Sequence, residues 1–321
     1  MSVMQAAVLA GPSEMTMAEV AVPDPGPREV RIRLEGCGVC GSNLEPWEGQ
    51  PWTSYPGDPG GMGHEGWGMV DAVGADVTEF AVGDRVAALS GRSFAQYDLA
   101  SADMTVKLPA ALDGRAFPGE ALGCAMNIFR RSDIQAGQTV AIVGIGFLGA
   151  ILTQLATNAG ARVIAISRRS FSLDLARRYG AAETIVMDDR YRIIADVKRL
   201  TGDALCDRVI EAVGKQWPLD LAAELVREGG KLIVAGYHQD GPRQVNMQMW
   251  NWKGIDVINA HERDAAVCLR GLREAVEAVA SGRIDPDPLY THRFALDGIN
   301  DALAAVRDRP DGFLKALVTY P

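Results

Sequence analysis

The segment Gly144-Ile145-Gly146-Phe147-Leu148-Gly149 constrains this chain more than any other. It falls between an apolar, β-branched run at 139–143 and an apolar helical pattern at about 148–159. In that setting the first glycine permits a tight turn and the second lets backbone approach a pyrophosphate. The third lets the helix pack closely on the sheet, while the helix N-terminus faces the anion. Glycine-rich turns of this kind also arise for packing alone, so the weight rests on the surrounding alternation of strand and helix. Strands are expected at 162–166, 208–212 and 231–235, and helices at about 172–179 and 219–226. Repeated units of that size imply a doubly wound parallel sheet covered on both faces.

The remainder reads differently. Up to about residue 118 the chain breaks into short β-rich pieces, such as 29–34 and 68–73, separated by Gly/Pro/Asp turns, which suits an irregular, largely antiparallel β domain. Beyond about 260 come two amphipathic helical patterns, 265–280 and 296–306, and a last strand at 315–320. We therefore expect two directly abutting domains with a cleft between them, one of 122–259 and the other of 1–121 with 260–321.

Charge narrows the range of partners. With 41 acidic against 32 basic residues the chain carries a formal charge of -9, which offers no basic field to nucleic acid or to anionic membranes. The most membrane-like run, 139–156, is interrupted by three glycines and a turn. The opening residues show no basic region followed by a long apolar stretch, so we expect a first strand rather than a leader, and a cytoplasmic protein. Five scattered cysteines argue for reduced thiols with individual roles.

Cofactor preference is read at the end of the second strand. An NAD-selective site offers a carboxylate there for the ribose hydroxyls. Here the run is Ile166-Ser167-Arg168-Arg169, and a serine followed by two guanidinium groups suits a 2'-phosphate instead. NADP(H) is expected over NAD(H). Phe147, Leu148, Val213 and Gly236 are further candidates for dinucleotide contact.

Cys40, His64, Glu65 and Glu120 bring together the ligand types that zinc prefers, although their spacing alone is no standard zinc signature. Taken singly, a lone buried cysteine or a satisfied histidine would be the ordinary explanation. The combination of 36–43 (GCGVCGSN), 63–74 (GHEGWGMVDAVG), 82–86 (VGDRV), 93–97 (SFAQY) and the glycine turn resembles the zinc-dependent alcohol, polyol and threonine dehydrogenase branch of the medium-chain dehydrogenase/reductase superfamily. The likeness runs nearly end to end. It implies a Rossmann domain joined to a GroES-like catalytic domain, and hydride transfer between the dinucleotide and a small alcohol or the corresponding carbonyl.

By that resemblance Cys40 and His64 match catalytic zinc ligands, and Glu65 matches a glutamate that ligates the metal or stands behind it. Glu120 matches one that reaches the metal directly or through water; Cys124 fits an alternative ligand position less well. Ser42 matches the hydroxyl that starts the proton relay, and Lys315 a basic residue that touches the pyrophosphate. The resemblance also implies a homodimer or homotetramer, with the segment 250–261 crossing to an interface strand.

Three departures stand out. The four-cysteine lobe for a structural zinc is missing between 86 and 97, so one catalytic zinc per chain is expected. Asn43 replaces the usual aspartate, which removes a carboxylate expected to orient a ligand. Glu45 replaces the usual relay histidine and either passes a proton or hydrogen-bonds a polyhydroxylated substrate. Trp47, Trp52 and Tyr55 are candidates for a substrate wall, and Cys37 for packing rather than a redox pair with Cys40. Two rival readings are a zinc-free enone or quinone reductase of the same superfamily and a non-catalytic NADP-binding protein.

Overall fold

The computed structural model describes residues 2–320, which form two compact units, one of 2–123 with 264–320 and one of Cys124–Arg263. In the second unit six parallel strands form one sheet. Numbered by chain order within the unit they are Thr139–Val143, Arg162–Ser167, Glu183–Val186, Cys206–Glu211, Val226–Val234 and Asp256–Asn259, and they lie in the order 3-2-1-4-5-6. That is the Rossmann order, whose reversal between strands one and four opens a crevice at their C-terminal ends. The central strands carry unbroken apolar runs because helices cover both faces, and Ile142, Val143, Ile164 and Ile166 are all fully buried.

The elements of this unit that escape the sequence reading include the third strand Glu183–Val186 and the helices Arg190–Thr201 and Met247–Lys253. The sequence of Arg190–Thr201 is dominated by charge and buries only Ile193 and Val197, so its apolar stripe is too narrow to stand out. Its Asp189 N-cap does the local work by accepting from the Arg192 N–H at 2.8 Å.

The other unit is built on the long strand Glu29–Val39. It pairs antiparallel with Gly66–Val73, with Tyr97–Ser101 and with the last strand, Ala316–Thr319. The register of that last pairing sets Ala316 opposite Val39. Lys315 is thereby brought beside Cys40, 275 positions away along the chain by their numbers. Cys37 lies in the apolar core of this unit with Ala7, Leu9, Val39, Trp47 and Phe94, its thiol 3.3 Å from the Gly38 carbonyl, and burial pushes that thiol well up. Among the described residues no helix is long and apolar enough to cross a membrane.

Candidate active site

At the end of strand Glu29–Val39 the chain turns at Cys40 into the short 3₁₀ turn Gly41–Asn43 and the helix Leu44–Glu48. Across from it, Gly63 and His64 lead into strand Gly66–Val73. This places a ligand atom from each of Cys40, His64 and Glu65 within 4.8 Å of the others, the one such group of three among the described residues. Glu120 stands in the first turn of helix Gly119–Ser132 and is not within that trio, yet its negative charge acts on His64. Cys124, one turn further along that helix, is exposed.

Asn43 and the Met62 carbonyl set the trio's orientation. The Asn43 side chain, almost fully buried, accepts from the Cys40 N–H at 2.9 Å and donates to the Met62 carbonyl at 2.8 Å. That carbonyl also takes the His64 Nδ1 proton at 2.8 Å, which leaves Nε2 as the ring nitrogen for the interaction with Cys40. Met62 adopts a left-handed backbone, φ 72°, uncommon for a residue with a side chain. The expectation that Asn43 weakens ligand orientation is therefore answered by geometry: an amide accepts and donates at once, which a carboxylate cannot do.

The electrostatics fit a cation. Burial opposes a charged imidazole, but the hydrogen bond to Cys40 and the charges of Cys40, Glu120 and Glu65 outweigh it and push His64 up to about 10. Without metal the trio thus holds a proton where zinc would sit, and thiolate, imidazole and carboxylate are a set that zinc takes.

Glu65 is fully buried, and Lys315 Nζ lies 2.6 Å from each of its carboxylate oxygens. Burial works against the ammonium, yet Glu65 and then Cys40 more than offset it and raise the Lys315 pKa. Gly38 is obligatory beside this pair, since a Cβ there would stand 1.8 Å from Glu65 Oε2. This corrects the expectation for Lys315. Its ammonium is turned inward to Glu65 rather than presented to a pyrophosphate.

Ser42 and Glu45 are half-buried on the turn and short helix that follow Cys40. The aromatic candidates divide. Trp47 is buried in the core under the Arg307 guanidinium, Tyr55 packs on the same core, and only Trp52 is exposed, at 67%.

In the second unit the glycine turn has the form its sequence predicts. Gly144 has φ 101°, and a Cβ there would meet Val213 at 2.4 Å. Gly149 packs so closely that a Cβ would stand 2.0 Å from the Gly144 carbonyl. Gly146, by contrast, caps helix Phe147–Asn158 and faces open space, with no atom within 4 Å of where a Cβ would be. Such a bare helix N-terminus is the cradle a pyrophosphate requires. Ser167 is buried at the end of strand two, Arg168 is exposed beyond it, and the Arg169 guanidinium lies 5.2 Å from the centre of the Phe171 ring.

Sequence reasoning passed over one feature here. Glu211, wholly buried at the end of strand four, holds the turn 212–214 and reaches the loop after strand five through His238. A carboxylate ending an apolar strand was the available signal. That loop, with Arg131, Asn259, His261 and Arg263, lines a pocket of about 420 Å³. Asn259 accepts the His261 N–H at 3.1 Å, and His261 Nε2 lies 3.2 Å from the Gly236 carbonyl, so both residues line this pocket while also bracing the backbone.

Both units resemble known proteins. Residues 26–110 match the alcohol dehydrogenase GroES-like domain and residues 148–280 the zinc-binding dehydrogenase domain. The chain is 27% identical to sorbitol dehydrogenase of Bacillus subtilis, over 99% of this chain and 97% of that protein. It is 31% identical to an alcohol dehydrogenase of Rhizobium meliloti, over 84% of this chain and 86% of that one. A zinc-binding dehydrogenase from Sinorhizobium meliloti, solved bound to NADP, superposes with TM-score 0.85 at 25% identity, all of both chains being covered.

Proposed function

We propose, from the premise that this chain belongs to the zinc-dependent medium-chain dehydrogenase/reductase superfamily and is an oxidoreductase of its alcohol dehydrogenase type, that it interconverts a secondary alcohol or polyol and the matching carbonyl with NADP(H). The observation that carries this reading is the clustering of Cys40, His64 and Glu65 within 4.8 Å, in a chain whose other unit carries the open Gly146 turn. The relative named sorbitol dehydrogenase, matched over nearly the whole chain, supports a polyhydroxylated substrate. The missing carboxylate at Ser167, with Arg168 and Arg169 following, supports the phosphorylated dinucleotide.

Cys40 and His64 would hold a single zinc. Glu65, braced by Lys315, or Glu120, half-buried in the first turn of its helix, or both, would supply the carboxylate that completes the set. Bound there, zinc would supply a Lewis acid for the substrate oxygen, and the dinucleotide a hydride acceptor or donor. The chain's own contribution is orientation and proton movement. In the oxidising direction Ser42 takes the hydroxyl proton of the substrate, and Glu45 passes it outward or hydrogen-bonds a neighbouring hydroxyl. The Gly146 turn binds the pyrophosphate with backbone N–H groups, leaving Arg168 to receive the 2'-phosphate.

Among the described residues the edge strand Asp256–Asn259 pairs on one side only, Asp256, Val257 and Asn259 are exposed, and Trp252 is 81% exposed. This supports a homodimer or homotetramer assembled through that edge.

Zinc content and activity against a panel of polyols and secondary alcohols, measured for wild type and Cys40→Ser, test the reading. About one zinc per chain, lost together with activity in the variant, is expected. Undiminished turnover by a metal-free Cys40→Ser protein would refute it in favour of a zinc-free reductase.

A further inference from the structure

Three side chains and the Gly214 backbone in the second unit close a ring of hydrogen bonds. Glu211 Oε1 accepts from the Val213 and Gly214 N–H groups, each at 2.7 Å. Its Oε2 lies 2.9 Å from His238 Nε2. The other imidazole nitrogen, Nδ1, accepts from Arg243 Nε at 2.8 Å, and Arg243 Nη2 donates to the Gly214 carbonyl at 3.1 Å. Asp240 pairs with Arg243 from outside the ring and is itself held by Lys215 at 2.6 Å.

The chemistry of this ring leaves His238 one form. A guanidinium can only donate, so Nδ1 must present its lone pair and the imidazole proton must sit on Nε2, toward Glu211. The ring therefore holds His238 in a single tautomer. Because it bridges a buried carboxylate and a guanidinium, it couples the turn after strand four to the loop after strand five. These two segments meet backbone to backbone: a Cβ on Gly236 would stand 2.2 Å from Gly214 N, and one on Gly214 would stand 2.5 Å from the Tyr237 carbonyl.

The joined loops form a wall of the pocket of about 420 Å³, to which they contribute Gly236, Tyr237 and His238. Tyr237 meets His261 edge to face across it, their ring centres 5.4 Å apart. The pocket opens at the C-terminal ends of strands five and six, next to Val234 and Asn259. With the glycine turn after strand one and the arginines after strand two serving the pyrophosphate and adenosine end, this second half of the sheet is left for the nicotinamide end.

We propose that His238 is a positioning residue for the nicotinamide half of the dinucleotide, holding the 236–238 loop in place through its bonds to Glu211 and Arg243. The inference rests on the dinucleotide reading above. Binding it to a preformed wall avoids the cost of ordering the loop at each encounter. The adenosine half, bound at other strands, should be indifferent to the ring.

The test compares two probes on the full chain: NADPH, followed by its fluorescence, and 2',5'-ADP, which carries only the adenosine half, followed by calorimetry. In His238→Ala, NADPH binding should weaken roughly tenfold or more while 2',5'-ADP stays within about twofold of wild type. His238→Gln, whose amide both donates and accepts, should recover much of the loss. Arg243→Met opens the ring without touching the buried carboxylate, and carries the test should His238→Ala not fold. Unchanged NADPH binding in both His238→Ala and Arg243→Met overturns the proposal, as does equal weakening of both probes, which would mark a role in folding alone. A wild-type protein that binds neither probe instead overturns the dinucleotide reading, and this inference with it.

Discussion

Lys315 reaches across 250 positions of sequence to set its ammonium 2.6 Å from both carboxylate oxygens of Glu65, behind the Cys40–His64 pair. Both side chains are buried, so each offsets the cost of burying the other. Removing one alone strands a buried charge, and Lys315→Met is expected to lose about 3–5 kcal/mol of stability in urea unfolding. The double variant Lys315→Met with Glu65→Gln should recover a large part of that loss. A single variant within about 0.5 kcal/mol of wild type would show that the pair carries no such weight.

Asn43 is expected to be needed as an amide. Asn43→Asp keeps the acceptor for the Cys40 N–H but sets a carboxylate against the Met62 carbonyl, where Asn43 now donates at 2.8 Å. Zinc retention against a competing chelator should fall by roughly 10-fold or more, as for other groups that orient metal ligands. Equal retention by Asn43→Asp would mean that Met62 is held by other means.

Two glycines of one motif should fail in different ways. Gly146→Ala meets no atom within 4 Å, so its melting temperature should match wild type while dinucleotide binding drops, because the methyl fills the anion cradle. Gly149→Ala drives a methyl to 2.0 Å from the Gly144 carbonyl and should lower the melting temperature itself. Intact NADPH binding in Gly146→Ala would remove the pyrophosphate from that turn.

Arg168 stands exposed just past strand two and has the 2'-phosphate as its expected ligand. Arg168→Ala should weaken NADPH by roughly tenfold and leave NADH nearly unaltered. If both dinucleotides bind as before, the preference lies elsewhere.

The site should release protons as it takes up zinc. His64 is raised to about 10 in the metal-free protein, above its ordinary value, so between neutral pH and about 10 a proton must leave before zinc binds. Apparent zinc affinity should therefore climb with pH over that range, by about tenfold per unit for this one group. Below the ordinary histidine range the proton holds the site more strongly still. Zinc titrations at several pH values in two buffers of different ionisation enthalpy would measure the proton release; an affinity flat from pH 7 to 9 would contradict it.

Much was legible in the residue order because it is written over short spans. The glycine turn, the run Thr139–Val143 and the helix Ala265–Ala280 follow from apolar spacing and turn chemistry within a dozen or so residues, and the structure forms them where that spacing puts them. The helix Arg190–Thr201 was hidden because only two of its positions are buried, and such a stripe hardly differs from a charged loop. Site chemistry was legible as residue types. Cys40 and His64 stood out through the likeness of whole motifs, whereas their supports, the Met62 carbonyl and the amide of Asn43, did not, since a backbone group carries no sequence signal and a neutral amide looked like a loss.

Sequence by itself determined the two kinds of unit, the dinucleotide turn and the stock of metal-ligand side chains, for each depends on neighbours along the chain. Tertiary structure alone decided which distant groups meet. The register that sets Ala316 against Val39 turned Lys315 from an expected phosphate contact into the buried partner of Glu65. The close approach of Gly214 and Gly236 likewise brought His238 between Glu211 and Arg243. Buried polar groups must find partners, and which partners lie within 3 Å is fixed by packing between elements rather than by order along the chain.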